Sequence, residues 1–148
     1  MGLDNSQSEH KARRASGCYE FKRILVVEDN LGDRMLINEV FGHLPTVRWH
    51  YVTTILQAGD FLQRQQPFQS APRPNMVLLD LNLPVFPGYS LIQSIKKDPL
   101  LCSIRVVVFT SSQSLADRTY CGALGADDFI VKPIDLSEWQ AALGKIIN

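Results

Sequence analysis

The chain has 148 residues, 45% of them hydrophobic, and its 15 basic and 15 acidic side chains cancel to a formal net charge of zero. That length fits one domain able to bury a core without disulfides, and the balanced charge gives no electrostatic footprint for nucleic acid. Apolar runs such as Met76–Leu79 are too short to span a bilayer and no secretory stretch opens the chain, so a cytoplasmic protein with no membrane contact is expected.

Residues 1–20 are polar, with a basic cluster at Lys11, Arg13 and Arg14, and read as a flexible tail. Cys18, Cys102 and Cys121 are odd in number and widely spaced, which suits reduced thiols rather than a zinc site. From Arg23 onward, strand and helix patterns alternate. Ile24–Val27 is an apolar, β-branched run suited to a strand buried on both faces. A helix follows, with Leu36, Ile37, Val40, Phe41 and Leu44 on one stripe and Pro45 as its stop. Val47–Thr53 alternates as a strand, and Ile55–Gln65 reads as a helix. Residues 66–75 hold three prolines and form a loop before the buried strand Met76–Leu79. Tyr89–Lys97 is helical with Leu91, Ile92 and Ile95 inward, and Val106–Phe109 is a fourth strand. The next helix aligns Leu115, Thr119, Tyr120, Ala123 and Leu124 and ends near Gly125. Phe129–Val131 is a short fifth strand, and a last helix aligns Leu136, Trp139, Leu143 and Ile146.

Five strands alternating with five helices predict a doubly wound α/β domain on a parallel sheet. In such sheets chemistry collects beyond the carboxyl ends of the strands. Those ends are Glu28 and Asp29, Asp80, Thr110, and Lys132 with Pro133. Each alone has an ordinary reading as a cap, a turn or a solvated charge. Together they place three carboxylates, a hydroxyl and an ammonium on one side. Two unit charges about 4 Å apart repel by roughly 4 kcal/mol at an effective dielectric near 20. A hard divalent cation is the natural remedy, and Mg²⁺ takes few carboxylates alongside phosphate oxygens. A carboxylate is also a competent nucleophile toward phosphorus, and the remaining groups suit charge neutralisation during phosphoryl transfer.

At these residues the sequence resembles the receiver domain of bacterial response regulators. The resemblance rests on ILVVEDN (Ile24–Asn30), VLLDLNLPVFPG (Val77–Gly88), VVVFTSS (Val106–Ser112) and LGADDFIVKP (Leu124–Pro133). It implies a flavodoxin-like receiver fold of strand order 2-1-3-4-5 over residues 21–148. It further implies Asp80 as phosphoacceptor, and a Mg²⁺ site from Asp29 and Asp80 directly, Glu28 through water and the Asn82 backbone carbonyl. Thr110 and Lys132 would bind the phosphoryl group, Thr110 and Phe129 would form the switch, and Lys132–Pro133 would be a cis peptide. The aromatic switch position, often Tyr, is Phe129 here, and Pro87 stands where an acid is common.

A finer resemblance, through the proline-rich loop, NLP after Asp80 and TSS after the fourth strand, is to stand-alone receivers that partner bacterial phytochromes. The implied partners are a sensor histidine kinase and a downstream protein target or phosphotransfer protein. The resemblance also allows a homodimer through the fourth-helix to fifth-helix face. Beyond its own phosphorylation and dephosphorylation, no enzyme activity is implied. A haloacid dehalogenase-type phosphatase would need an acid at Asn82, and a flavodoxin-type cofactor loop would not be as acidic as EDNLGD. The alternative is a receiver-like scaffold that binds partners without phosphorylation.

Overall fold

The computed structural model describes residues 21–147, so the expected tail and Asn148 lie outside the described residues. The elements are β1 (Lys22–Val27), α1 (Leu31–Phe41), β2 (Val47–Val52), α2 (Ile55–Leu62), β3 (Met76–Leu79), α3 (Tyr89–Lys97), β4 (Arg105–Thr110), α4 (Leu115–Leu124), β5 (Asp128–Val131) and α5 (Leu136–Ile147). All pairings are parallel, in the order β2-β1-β3-β4-β5. No helix among the described residues is long and apolar enough to cross a membrane.

Because side chains alternate across a strand, the same strands feed two cores. Leu25, Val27, Val77, Leu79, Val106 and Val108 pack on one face against Phe61, Leu91, Ile92 and Ile95 of α2 and α3. Ile24, Val26, Met76, Leu78, Val107 and Phe109 pack on the other against Ile37, Phe41, Trp139 and Leu143 of α1 and α5. Complete burial of β3 explains its unbroken apolar sequence.

Two expectations need correction here. The second helix stops at Leu62 rather than Gln65. Arg64 adopts φ 54°, and the Arg64 and Gln65 N–H groups donate back to the Phe61 and Asp60 carbonyls at 3.2 and 2.8 Å. This Schellman ending satisfies the last carbonyls without further helix. On α4 most of the expected apolar stripe faces outward: Leu115 is 76% and Tyr120 51% exposed, while Leu124 packs against the first core and Cys121 is the fully buried residue. The helix lies beside β5, whose residues are themselves only half-buried, so a narrow strip suffices to cover it.

Candidate phosphoryl-acceptor site

Register sets the site. Val27 pairs with Leu79 and Leu79 with Val108, so Glu28 and Asp80 leave adjacent strands side by side. Thr110 pairs with Val131, which puts Lys132 at the neighbouring exit. Glu28, Asp29 and Asp80 each offer a carboxylate oxygen within 4.8 Å of the others. Glu28 and Asp80 are buried and Asp29 is exposed, so the cluster is open on one side.

The Lys132 ammonium joins the cluster. Its Nζ donates to Glu28 Oε2 at 2.7 Å and to Asp80 Oδ2 at 3.1 Å. It also donates to Asp33 Oδ2 at 2.7 Å. Asp33 was not among the residues singled out from the sequence. It sits in the first turn of α1, where its own N–H is capped by Asn30 Oδ1 at 3.0 Å. The signal was available: a helix starting directly after a strand end points its first turn back over that end, and EDNLGD carries a third acid there.

Three carboxylates thus share one ammonium, and the fourth, Asp29, lies beside them without a contact to it. Burial pushes the Glu28 carboxyl up to about 7; the nearby Asp80 charge adds to this, while Lys132 and the Asn30 N–H oppose it. Burial would lower the Lys132 ammonium, but its hydrogen bonds to Asp33 and Glu28 and the charge of Asp80 hold it above the ordinary lysine range. A pocket this acidic has room in its electrostatics for another cation, and its donors are all hard oxygen atoms, the set that suits Mg²⁺ or Mn²⁺.

The remaining expected residues surround this centre. Asn82 donates its backbone N–H to Asp80 Oδ1 at 3.1 Å, fixing the carboxylate, and its amide reaches Ser111 Oγ at 3.4 Å. Gly88 is required where it stands: a Cβ there would lie 2.8 Å from the Asp80 carbonyl oxygen. Thr110 is fully buried, and its Oγ1 accepts the Ser112 N–H at 3.2 Å. Phe129 is half-buried against the first core, with the Arg118 guanidinium 5.7 Å from its ring centre. The expected cis peptide before Pro133 is not found; among the described residues the cis bond is Gln66–Pro67. Trans is the intrinsically favoured form even before proline. With Lys132–Pro133 trans, Lys132 still reaches three carboxylates, and the Pro133 carbonyl accepts Trp139 Nε1 at 2.8 Å.

Known proteins share this fold. The family of response regulator receiver domains matches residues 24–144. Response regulator Rcp1 of Synechocystis is 37% identical over 79% of this chain and 80% of its own. The phosphorylated cyanobacterial phytochrome response regulator RcpA superposes with a TM-score of 0.76 at 34% identity, covering 84% of this chain and 91% of that one. The Mn²⁺-bound form of Rcp1 gives a TM-score of 0.71 at 34% identity, covering 85% and 88%. The chain spans only 48% of longer relatives such as the probable transcriptional regulator ycf27 of Cyanophora paradoxa, 31% identical.

Proposed function

This chain belongs to the response regulator receiver domain family, and on that premise we propose that Asp80 is its phosphoacceptor, charged by a sensor histidine kinase. The observation that carries the reading is the single ammonium of Lys132 bridging Glu28 and Asp80 inside a three-carboxylate cluster. An Asp80 carboxylate oxygen attacks the phosphorus of a phosphohistidine. The P–N bond breaks, its electron pair stays on the imidazole, and an acyl phosphate forms on Asp80. Asp29 and Asp80, with Glu28 behind and the Asn82 carbonyl, would hold Mg²⁺, which supplies charge neutralisation for the phosphoryl oxygens. Lys132 supplies a second positive charge, and the Thr110 hydroxyl donates to the phosphoryl group. Hydrolysis of the acyl phosphate later resets the site.

Phosphorylation adds charge that Thr110 and Lys132 answer by moving, which biases Phe129 and the surface of α4, β5 and α5. Exposed Leu115 and Tyr120 on α4 suit that surface to a downstream protein or a second copy of the chain. The similarity to RcpA, named as a cyanobacterial phytochrome response regulator, makes a light-sensing kinase in the cytoplasm the partner we favour.

The test is phosphoryl uptake from a small acyl phosphate with Mg²⁺, read by intact-protein mass. The wild-type chain gains one phosphoryl group and Asp80→Asn gains none. Equal labelling of both chains would move the acceptor elsewhere. No labelling of either would favour the phosphorylation-independent scaffold.

A further inference from the structure

Thr110 is the buried hydroxyl of the site, and its aim depends on what its oxygen already does. A threonine Oγ1 carries one O–H and two lone pairs. Here a lone pair is taken by the Ser112 N–H at 3.2 Å, which leaves the O–H for another acceptor. Ser112 is itself fixed. Its Oγ accepts the Ser114 N–H at 3.2 Å and donates to Asp117 Oδ2 at 2.5 Å. The other oxygen of Asp117, Oδ1, accepts the Tyr89 hydroxyl at 2.5 Å. The Ser112 and Tyr89 hydroxyls hold the Asp117 carboxyl below its ordinary range, and the hydrogen bond to Asp117 pushes the Tyr89 hydroxyl up to about 12. Both hydroxyls are therefore donors to an ionised Asp117, and the sense of every bond in the chain is set.

Tyr89 ties this chain back to the acceptor. It opens α3 directly after Gly88, whose N–H reaches the Leu81 carbonyl at 3.4 Å and whose Cα lies against the Asp80 backbone. The loop leaving Asp80 and the loop leaving Thr110 are thus bridged through Asp117 of α4. A weaker bridge, Asn82 Nδ2 to Ser111 Oγ at 3.4 Å, spans the same loops. None of the three residues Tyr89, Ser112 and Asp117 belongs to the proposed metal or phosphoryl-binding set.

We propose that Asp117 is a positioning residue for phosphoryl transfer: through Ser112 it holds the Thr110 hydroxyl as a donor toward Asp80, and through Tyr89 it fixes the spacing of the two loops. This rests on Asp80 being the phosphoacceptor. It also gives a receiver with Phe at position 129 a hydroxyl-bearing aromatic, Tyr89, joined to the Thr110 loop by another route.

The experiment measures the rate of phosphoryl uptake from acetyl phosphate with Mg²⁺ in six chains: wild type, Asp117→Ala and Tyr89→Phe, each with Thr110 intact and with Thr110→Ala. Asp117→Ala is expected to slow uptake at least fivefold in the wild-type background and less than twofold once Thr110 is Ala, because its effect passes through that hydroxyl. Tyr89→Phe, which removes one oxygen atom and keeps the ring, is expected to give a smaller slowing that also vanishes in the Thr110→Ala background. An equal slowing in both backgrounds marks a merely structural role and overturns the proposal, as does an unchanged rate in Asp117→Ala. Absence of uptake by the wild-type chain brings down the reading of Asp80 as well. Uptake that is normal in wild type but insensitive to Asp117 and Tyr89 brings down this inference alone.

Discussion

The two ends of the sheet use charge in opposite ways. At the amino ends of the strands, polar groups meet backbone partners or a single counter-ion. Lys22 Nζ donates to the Ile146 and Ile147 carbonyls at the end of α5, at 3.2 and 2.6 Å. Asn75 accepts the Arg23 N–H on its side chain and bonds Arg23 and Arg105 through its backbone. Asp127 accepts from Val106 N–H and from Lys96, each near 2.8–2.9 Å, and Arg105 pairs with Asp128. At the carboxyl ends, one ammonium serves three carboxylates with a fourth close by. Satisfied pairs hold a fold in place, whereas an excess of one sign in a buried pocket is a standing demand for a ligand.

Removing the lone ammonium breaks this contrast most severely. Lys132→Met leaves buried Glu28 and Asp80 without their cation and should cost about 3 kcal/mol in metal-free buffer, measured by urea unfolding. Millimolar Mg²⁺ should restore part of that loss. At the opposite end Asp127→Ala removes one backbone hydrogen bond and a half-exposed ion pair, so a loss of about 1 kcal/mol is expected, indifferent to Mg²⁺. A Mg²⁺-dependent deficit in that variant would erase the distinction between the ends.

The smallest effect is one of pH. Burial raises the Asp127 carboxyl, but the Val106 N–H and Lys96 outweigh it and hold the folded value below the ordinary 3.8. The unfolded chain therefore binds a proton more readily, so the contribution of Asp127 is intact above about 4 and is lost as pH falls through the folded value. Unfolding midpoints of wild type and Asp127→Ala should converge in acid, with or without divalent cation.

These contrasts also explain what could be read in the sequence. Strand ends are legible because a parallel sheet turns a linear pattern into a common edge: Glu28, Asp29, Asp80 and Lys132 were placed together by topology alone, and they meet. Asp33 was missed because its role depends on the direction of a helical first turn, which hydrophobic periodicity does not report. The outward face of α4 was misread for a related reason. A helix over a short edge strand buries only a narrow strip, here Cys121 and Leu124, so Leu115 and Tyr120 look like core residues in sequence and are largely exposed. The cis bond expected at Pro133 rested on family likeness and on no pattern in the residues themselves. The Asp117 network was hidden because serine and aspartate at a helix start read first as caps, and Tyr89 as an ordinary first residue of a helix.

Binding of a divalent ion tests the central claim most directly. Titrating Mn²⁺ into metal-free protein, with bound ion read by paramagnetic resonance, should give a single site that Mg²⁺ competes away. Asp29→Asn should weaken that site at least tenfold while Asp127→Ala leaves it unchanged. Wild-type affinity in Asp29→Asn would contradict the account, because the open side of the acidic pocket would then not be where the ion is held.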